Sequence, residues 1–118
     1  TTLGSRSPTS FDIRDGPALL RVPTAEILAV RAAGNYVEFL LDDGRRPLMR
    51  ASLQQIEAGL APAGLVRTHR SWIVNHRRVR ALVPAGSGDF RLDLGGGVSA
   101  PLSRRFPGAL EQLRASGR

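Results

Sequence analysis

Hydrophobic positions along this chain recur mostly at a spacing of two. In NYVEFLL (residues 35–41), Tyr36, Glu38 and Leu40 alternate with Val37, Phe39 and Leu41, the period of a strand whose two faces meet different surroundings. Ala18–Val22 is a shorter apolar run closed by Pro23, and ILAVRAA from Ile27 is another. Asp43–Gly44 supplies a hairpin turn before RRPLMR (45–50). LVRTHRS (65–71) and WIV (72–74) continue in extended form, NHRR (75–78) reads as one tight turn, and VRALVP (79–84) as a strand. FRLDL and VSAPL make a further two-strand pattern joined at Gly95–Gly97.

Two segments break the alternation. In SLQQIEAGL (52–60), Leu53, Ile56 and Leu60 fall at helical spacing, Ser52 is placed to cap the start, and Gly59 and Pro62 mark the exit. RRFPGALEQLRA (104–115) reads as a closing helix with Leu110 and Leu113 on one face. The expected fold is therefore mostly β: small antiparallel sheets packed together, with one or two short helices, because strands this short bury one face apiece. Residues 1–15 read as a disordered linker, Ser/Thr/Gly/Pro-rich over the first ten, and residues 16–118 as one domain. The chain lacks a starting methionine, which suggests a fragment whose N-terminal regulatory domain is missing.

Composition adds a partner to this picture. The 118 residues carry 17 Lys+Arg against 10 Asp+Glu, a formal charge of +7. Every one of those cations is arginine, which suits planar, bidentate recognition of phosphate and guanine, although GC-rich coding produces the same bias. The net charge favours an anionic partner under either explanation. The chain has no cysteine, so disulfides and thiolate metal sites are excluded, and no apolar run reaches the ~18 residues of a membrane span. A cytoplasmic location is expected for the domain, with a membrane-anchored full-length protein still open.

Catalytic and metal chemistry find little support. His69 and Ser71 share a strand face, but a triad also needs an orienting carboxylate and an oxyanion hole, and no G-x-S-x-G elbow is present. His69 and His76 are the only histidines and match no metal-ligand spacing, so neither a metal nor a cofactor is expected. Glycines at Gly86/Gly88 and Gly95–Gly97 read as hairpin turns. The domain is not expected to be an enzyme. Four arginine clusters remain: Arg45/Arg46/Arg50, Arg67/Arg70, Arg77/Arg78/Arg80 and Arg104/Arg105. Each sits at a turn or strand end, and together they suggest one continuous positive face, suited to nucleic-acid phosphates, an acidic protein or a membrane surface.

LVRTHRSWIVN (65–75) resembles the signature strand of the LytTR family, the DNA-binding domains of many bacterial response regulators. The resemblance continues in order with ILAVRAAGNYVEFLLDDG (27–44), LMRASLQQIEAGL (48–60) and APLSRRFPGALEQL (100–113), covering roughly residues 18–115. It implies sequence-specific binding of double-stranded DNA by loops and strand ends in successive major-groove segments, in the output half of a transcriptional regulator. Base-reading positions carried over from the family are Asn35, Arg70 and Arg104; Asn35 after Gly34 also has a plain turn-forming reading. Phosphate contacts would come from Arg50, Ser71, Ser103 and Arg105, and from Arg77 and His69, the latter serving equally well to buttress the Arg70 strand. Asn75 reads as structural, capping the turn after WIV. Paired direct repeats with two protomers on one DNA face are implied. The alternative reading is a small β interaction module that docks an acidic partner through the same arginines. A single-strand or RNA binder fits less well, since only 5% of residues are aromatic and base stacking would need more.

Overall fold

A computed structural model of the chain describes residues 9–116. Ten strands and two α-helices follow one another as β1 (Ser10–Asp15), β2 (Ala18–Pro23), β3 (Ile27–Ala33), β4 (Tyr36–Leu41), β5 (Leu48–Arg50), α1 (Leu53–Leu60), β6 (Leu65–His69), β7 (Trp72–Asn75), β8 (Ala81–Gly86), β9 (Asp89–Asp93), β10 (Ser99–Leu102) and α2 (Pro107–Ser116). All the pairings are antiparallel. They form a central five-stranded sheet ordered β5-β4-β3-β7-β6, a three-stranded sheet β10-β9-β8 and the hairpin β1-β2. The mostly-β architecture of small sheets with two short helices is the one the periodicity predicts.

The central sheet is covered on both faces. On one, Val30, Val37, Phe39 and Ile73 meet Ile13 and Val22 of the hairpin and Leu53, Ile56 and Leu60 of α1. On the other, Ala29 and Val74 meet Leu92, Ala100 and Leu102 of the three-stranded sheet and Ala109 and Leu113 of α2. This double coverage explains why Ile27–Val30 are all buried without alternation, and why Leu40 is buried although its face differs from that of Val37 and Phe39. Helix α1 starts at Ser52, whose Oγ accepts from the Gln55 N–H while the Gln55 side chain accepts from the Ser52 N–H, a reciprocal cap for two otherwise unpaired amides.

Three boundaries differ from the sequence expectation. The linker is shorter than residues 1–15: Ser10–Asp15 form β1, with Ile13 buried, Phe11 tilted against Phe39 with ring centroids 5.7 Å apart, and Asp12 paired with Arg21 at 2.8 Å. Asp12 and Arg14 are the outward positions of an alternating strand. Residues 1–8 of the expected linker lie outside the described residues. Within RRPLMR only Leu48–Arg50 pairs as a strand, because Pro47 interrupts the run. NHRR does turn tightly, as a 3-10 turn over His76–Arg78, and the next strand begins at Ala81.

Asn75 closes β7 from the interior, as the sequence suggests. It is buried; Nδ2 donates to Ile27 O at 3.0 Å and Thr24 O at 3.4 Å, and Oδ1 accepts from the Arg77 N–H at 3.1 Å. Phe39 is the largest fully buried side chain and lies between the hairpin and α1. Phe39→Ala is expected to lower unfolding free energy by about 3–5 kcal/mol, read as a fall in the urea midpoint at unchanged slope.

Candidate nucleic-acid interface

The strand register decides which turns share an end of the central sheet. Ala33 faces Tyr36 across the Gly34–Asn35 turn, and Arg31 faces Trp72, so the turn after β3 lies beside the Arg70–Ser71 turn that joins β6 to β7. A direct bond seals the contact: the Ala32 N–H donates to Ser71 O at 2.9 Å. Gly34 supplies φ +66 at the first turn position, which leaves Asn35 exposed at the tip. Tyr36 pairs with Arg50, so exposed Arg50 stands at the same end on the outer strand. From Arg50 to His69 the row crosses five strands, roughly 20 Å at the usual strand spacing.

The second sheet extends this row. The Ser103 N–H donates to Thr68 O at 2.8 Å, which brings the end of β10 against the end of β6. Ser103 Oγ then accepts from the Arg105 N–H at 3.1 Å, shaping the turn that leads into α2 and leaving Arg104 and Arg105 exposed. Arg104 folds back over the β8–β9 turn: its main-chain N–H donates to Asp89 Oδ1 at 2.8 Å and its Nη1 to Ser87 O at 3.0 Å. Thus Asn35, Arg50, His69, Arg70, Ser71, Ser103, Arg104 and Arg105 all gather at one end of the molecule. Arg77 does not. It follows Asn75, which lies opposite Leu65 at the far end of β7, in company with Arg78, Arg80, Arg45 and Arg46. The single continuous positive face expected from the four clusters is instead two basic ends separated by the length of the sheet.

The arginines of the first end have different occupations. Arg67 has a committed guanidinium: Nε donates to His69 O at 2.9 Å, Nη2 to Arg70 O at 2.6 Å and Nη1 to Glu57 Oε1 at 2.7 Å. It therefore ties the two carbonyls of the β6–β7 turn to helix α1. Arg70, three residues on, is exposed, and among the described residues its guanidinium makes no hydrogen bond or ion pair. The sequence treats both as one cluster; nothing in their spacing separates clamp from probe, and only Glu57, on the helix packed beside β6, could have hinted at it. His69 is half-buried, and its Nδ1 accepts from the Ser71 N–H at 3.0 Å. In the neutral ring the proton then sits on Nε2. The bond reaches the main chain of Ser71 and not its hydroxyl, so the pair braces the turn and has no nucleophile–base geometry. At the bulge between Arg67 and His69, Thr68 is fully buried with its hydroxyl unpartnered. Among the described residues no group of three or more metal-ligating side chains occurs, and no helix is long and apolar enough to cross a membrane.

Residues 18–114 match the family model of the LytTr DNA-binding domain. Among solved structures, a LytTr DNA-binding domain from Bacillus cereus superimposes with a TM-score of 0.78 at 21% identity, covering 92% of this chain and 98% of that one. At this identity the likeness is one of fold. No curated protein matches the sequence.

The clamp and the exposed arginine are expected to part company in stability measurements. Arg67→Ala, which strands two turn carbonyls and Glu57, should cost about 1.5–3 kcal/mol in urea unfolding, whereas Arg70→Ala should stay within about 0.5 kcal/mol of the parent.

Proposed function

The chain belongs to the LytTr family of DNA-binding domains, and on that premise we propose that it binds double-stranded DNA sequence-specifically, as the output domain of a bacterial transcriptional regulator in the cytoplasm. The observation that carries the proposal is the row of polar turn residues at one end of the sheet. Three of these turns project a side chain able to read a base edge. Arg70 and Arg104 each offer two donors to guanine O6 and N7, and Asn35 offers a donor and an acceptor to adenine. Arg70 is unencumbered, while Arg104 exchanges its bond to Ser87 O for the base, a trade of about 1 kcal/mol that a charge-assisted bidentate pair exceeds.

Phosphate contacts fall to Arg50, Ser71, Ser103 and Arg105 around them, which set register without carrying sequence information. His69 takes part through the turn it braces, with Nε2–H left to meet a phosphate oxygen. Arg77 has no place in this interface, since it stands at the other end of the sheet. A row of roughly 20 Å exceeds the ~12 Å width of one major groove, so turns at its two extremities enter successive groove segments on one DNA face. Two protomers on paired direct repeats would each occupy one such stretch.

In-vitro selection from random duplexes, followed by salt titration of the winner and a scrambled duplex, tests the reading. A recovered motif with scrambled DNA about 10³-fold weaker supports it. No enrichment, with equal affinity and an equally steep salt slope on both duplexes, would reduce the arginines to a source of charge and favour an acidic protein partner.

Within the selected site, Arg70→Ala and Arg104→Ala should each cost about 1–3 kcal/mol and relax discrimination at one base pair. Arg50→Ala should weaken all sequences alike and flatten the salt slope by about 1. Unchanged affinity of the Arg70 variant for the best site refutes its reading role.

A further inference from the structure

The second basic end holds a cleft that DNA reading does not use. Arg77 and Arg78 lie in the 3-10 turn after β7, and Arg80 precedes β8; with Asp42, Leu94 and Gly95 they line a concavity of about 250 Å³. We propose that this cleft binds a small multivalent oxyanion of the phosphate class, free or as the phosphoryl end of a small molecule.

Charge is the first argument. Three guanidinium groups share the cleft with one carboxylate, and Asp42 is already taken by Arg78 Nη1 at 3.2 Å. Arg77 and Arg80 have no carboxylate partner among the described residues. Gathering cations in a concave wall raises their mutual repulsion, which a bound anion relieves.

Preorganisation is the second. Arg78 is fixed by its bond to Asp42 and by a 2.7 Å bond to Ala25 O. The Arg80 main-chain N–H donates to Asp93 O at 2.7 Å, and its side chain lies along Gly95 so closely that a Cβ there would come within 2.7 Å of Nη1 and 2.9 Å of Cδ. Gly95 itself adopts φ +81, a backbone conformation that favours glycine. Asn75 holds the Arg77 main chain. Arg78, fixed before binding, loses little entropy on meeting a ligand, and guanidinium forks match the paired oxygens of a phosphoryl group.

Size and place narrow the ligand. The volume falls below the ~300 Å³ at which drug-sized pockets begin, which suits an inorganic oxyanion or a phosphoryl group and not a large organic body. The cleft also stands apart from the proposed DNA contacts by the length of β7, about 13 Å for its four residues. It can therefore be occupied while DNA is held, and the inference does not depend on how DNA is read.

The test is titration of the full chain with inorganic pyrophosphate at about 0.15 M salt, observed by nitrogen-15 NMR of backbone amides and arginine Nε–H groups. Saturable one-to-one binding is expected, with shifts centred on Gly95, Gly96 and the three arginines. Arg77→Gln and Arg80→Gln should each weaken it by at least about tenfold, and Arg70→Gln should leave it unchanged. A nucleoside diphosphate run in parallel distinguishes the sources: equal affinity identifies the oxyanion alone as ligand, and tighter binding a phosphorylated small molecule. Non-saturating shifts spread alike over the arginines of both ends would overturn the proposal, as would a fall in the DNA salt slope for Arg77→Gln equal to that for Arg50→Ala. Arg77 is exposed, so its variant preserves the test if replacing Arg80 disturbs the Gly95 turn.

Discussion

Burial of β3 on both faces is the constraint on which the rest of this molecule depends. Ile27, Leu28, Ala29 and Val30 are each at most 4% exposed, and strands β4 and β7 pair on either side of them. A strand in that position cannot slip by one residue without exchanging its two sets of contacts, one with α1 and the hairpin, the other with the second sheet and α2. Its register therefore fixes the register of its neighbours. The side-by-side placement of the Gly34–Asn35 and Arg70–Ser71 turns is a consequence of that lock, sealed by the bond from the Ala32 N–H to Ser71 O.

Two short links carry the same order outward. The bond from the Ser103 N–H to Thr68 O joins the second sheet to the first beside the Arg70 turn, so Arg70 and Arg104 are held relative to each other through backbone, not through flexible side chains. Arg67 does the corresponding work toward α1. Residues positioned this way need little further ordering to meet a partner. Thr68 carries an unpaired buried hydroxyl at the bulge between them, a cost of about 1–3 kcal/mol located in the segment that aligns the two basic turns.

Electrostatics divides where composition cannot. A charge of +7 describes the whole chain and says nothing of how it is spread. Folding sends the arginines of the four clusters to two ends of the central sheet and then assigns them different work: Arg67 and Arg78 are spent on carbonyls and carboxylates inside the protein, and Arg50, Arg70 and Arg77 are left to solvent. The count of cations alone overstates the charge available to any one partner, because the paired ones are already neutralised locally.

Much of the fold was legible in the chain. The two-residue period around Tyr36–Leu41, the Ser52 cap with Leu53, Ile56 and Leu60, and the structural role of Asn75 are all local or nearly local facts, set by strand and helix geometry and by the few residue types that satisfy an exposed backbone end. The family-like order of motifs singled out Asn35, Arg70 and Arg104, which the structure places on turns at one end of the sheet. Other features were hidden because they depend on pairing between distant segments. Ser10–Asp15 fell within the expected linker until Val22 and Phe39 supplied its other side, and Arg67 looked like Arg70 until Glu57 and the turn carbonyls took its donors. Arg77 looked like a neighbour of Arg70 because seven residues separate them in sequence. The extended β7 between them converts that small interval into opposite ends of a sheet. Sequence by itself determined most of the segments that become strands, helices and turns after residue 18, since those follow from side-chain period and backbone chemistry; β1 needed its tertiary partners to be seen as a strand. Tertiary structure alone decided which turns stand together and which arginines remain unpaired, since both are set by strand register across the central sheet.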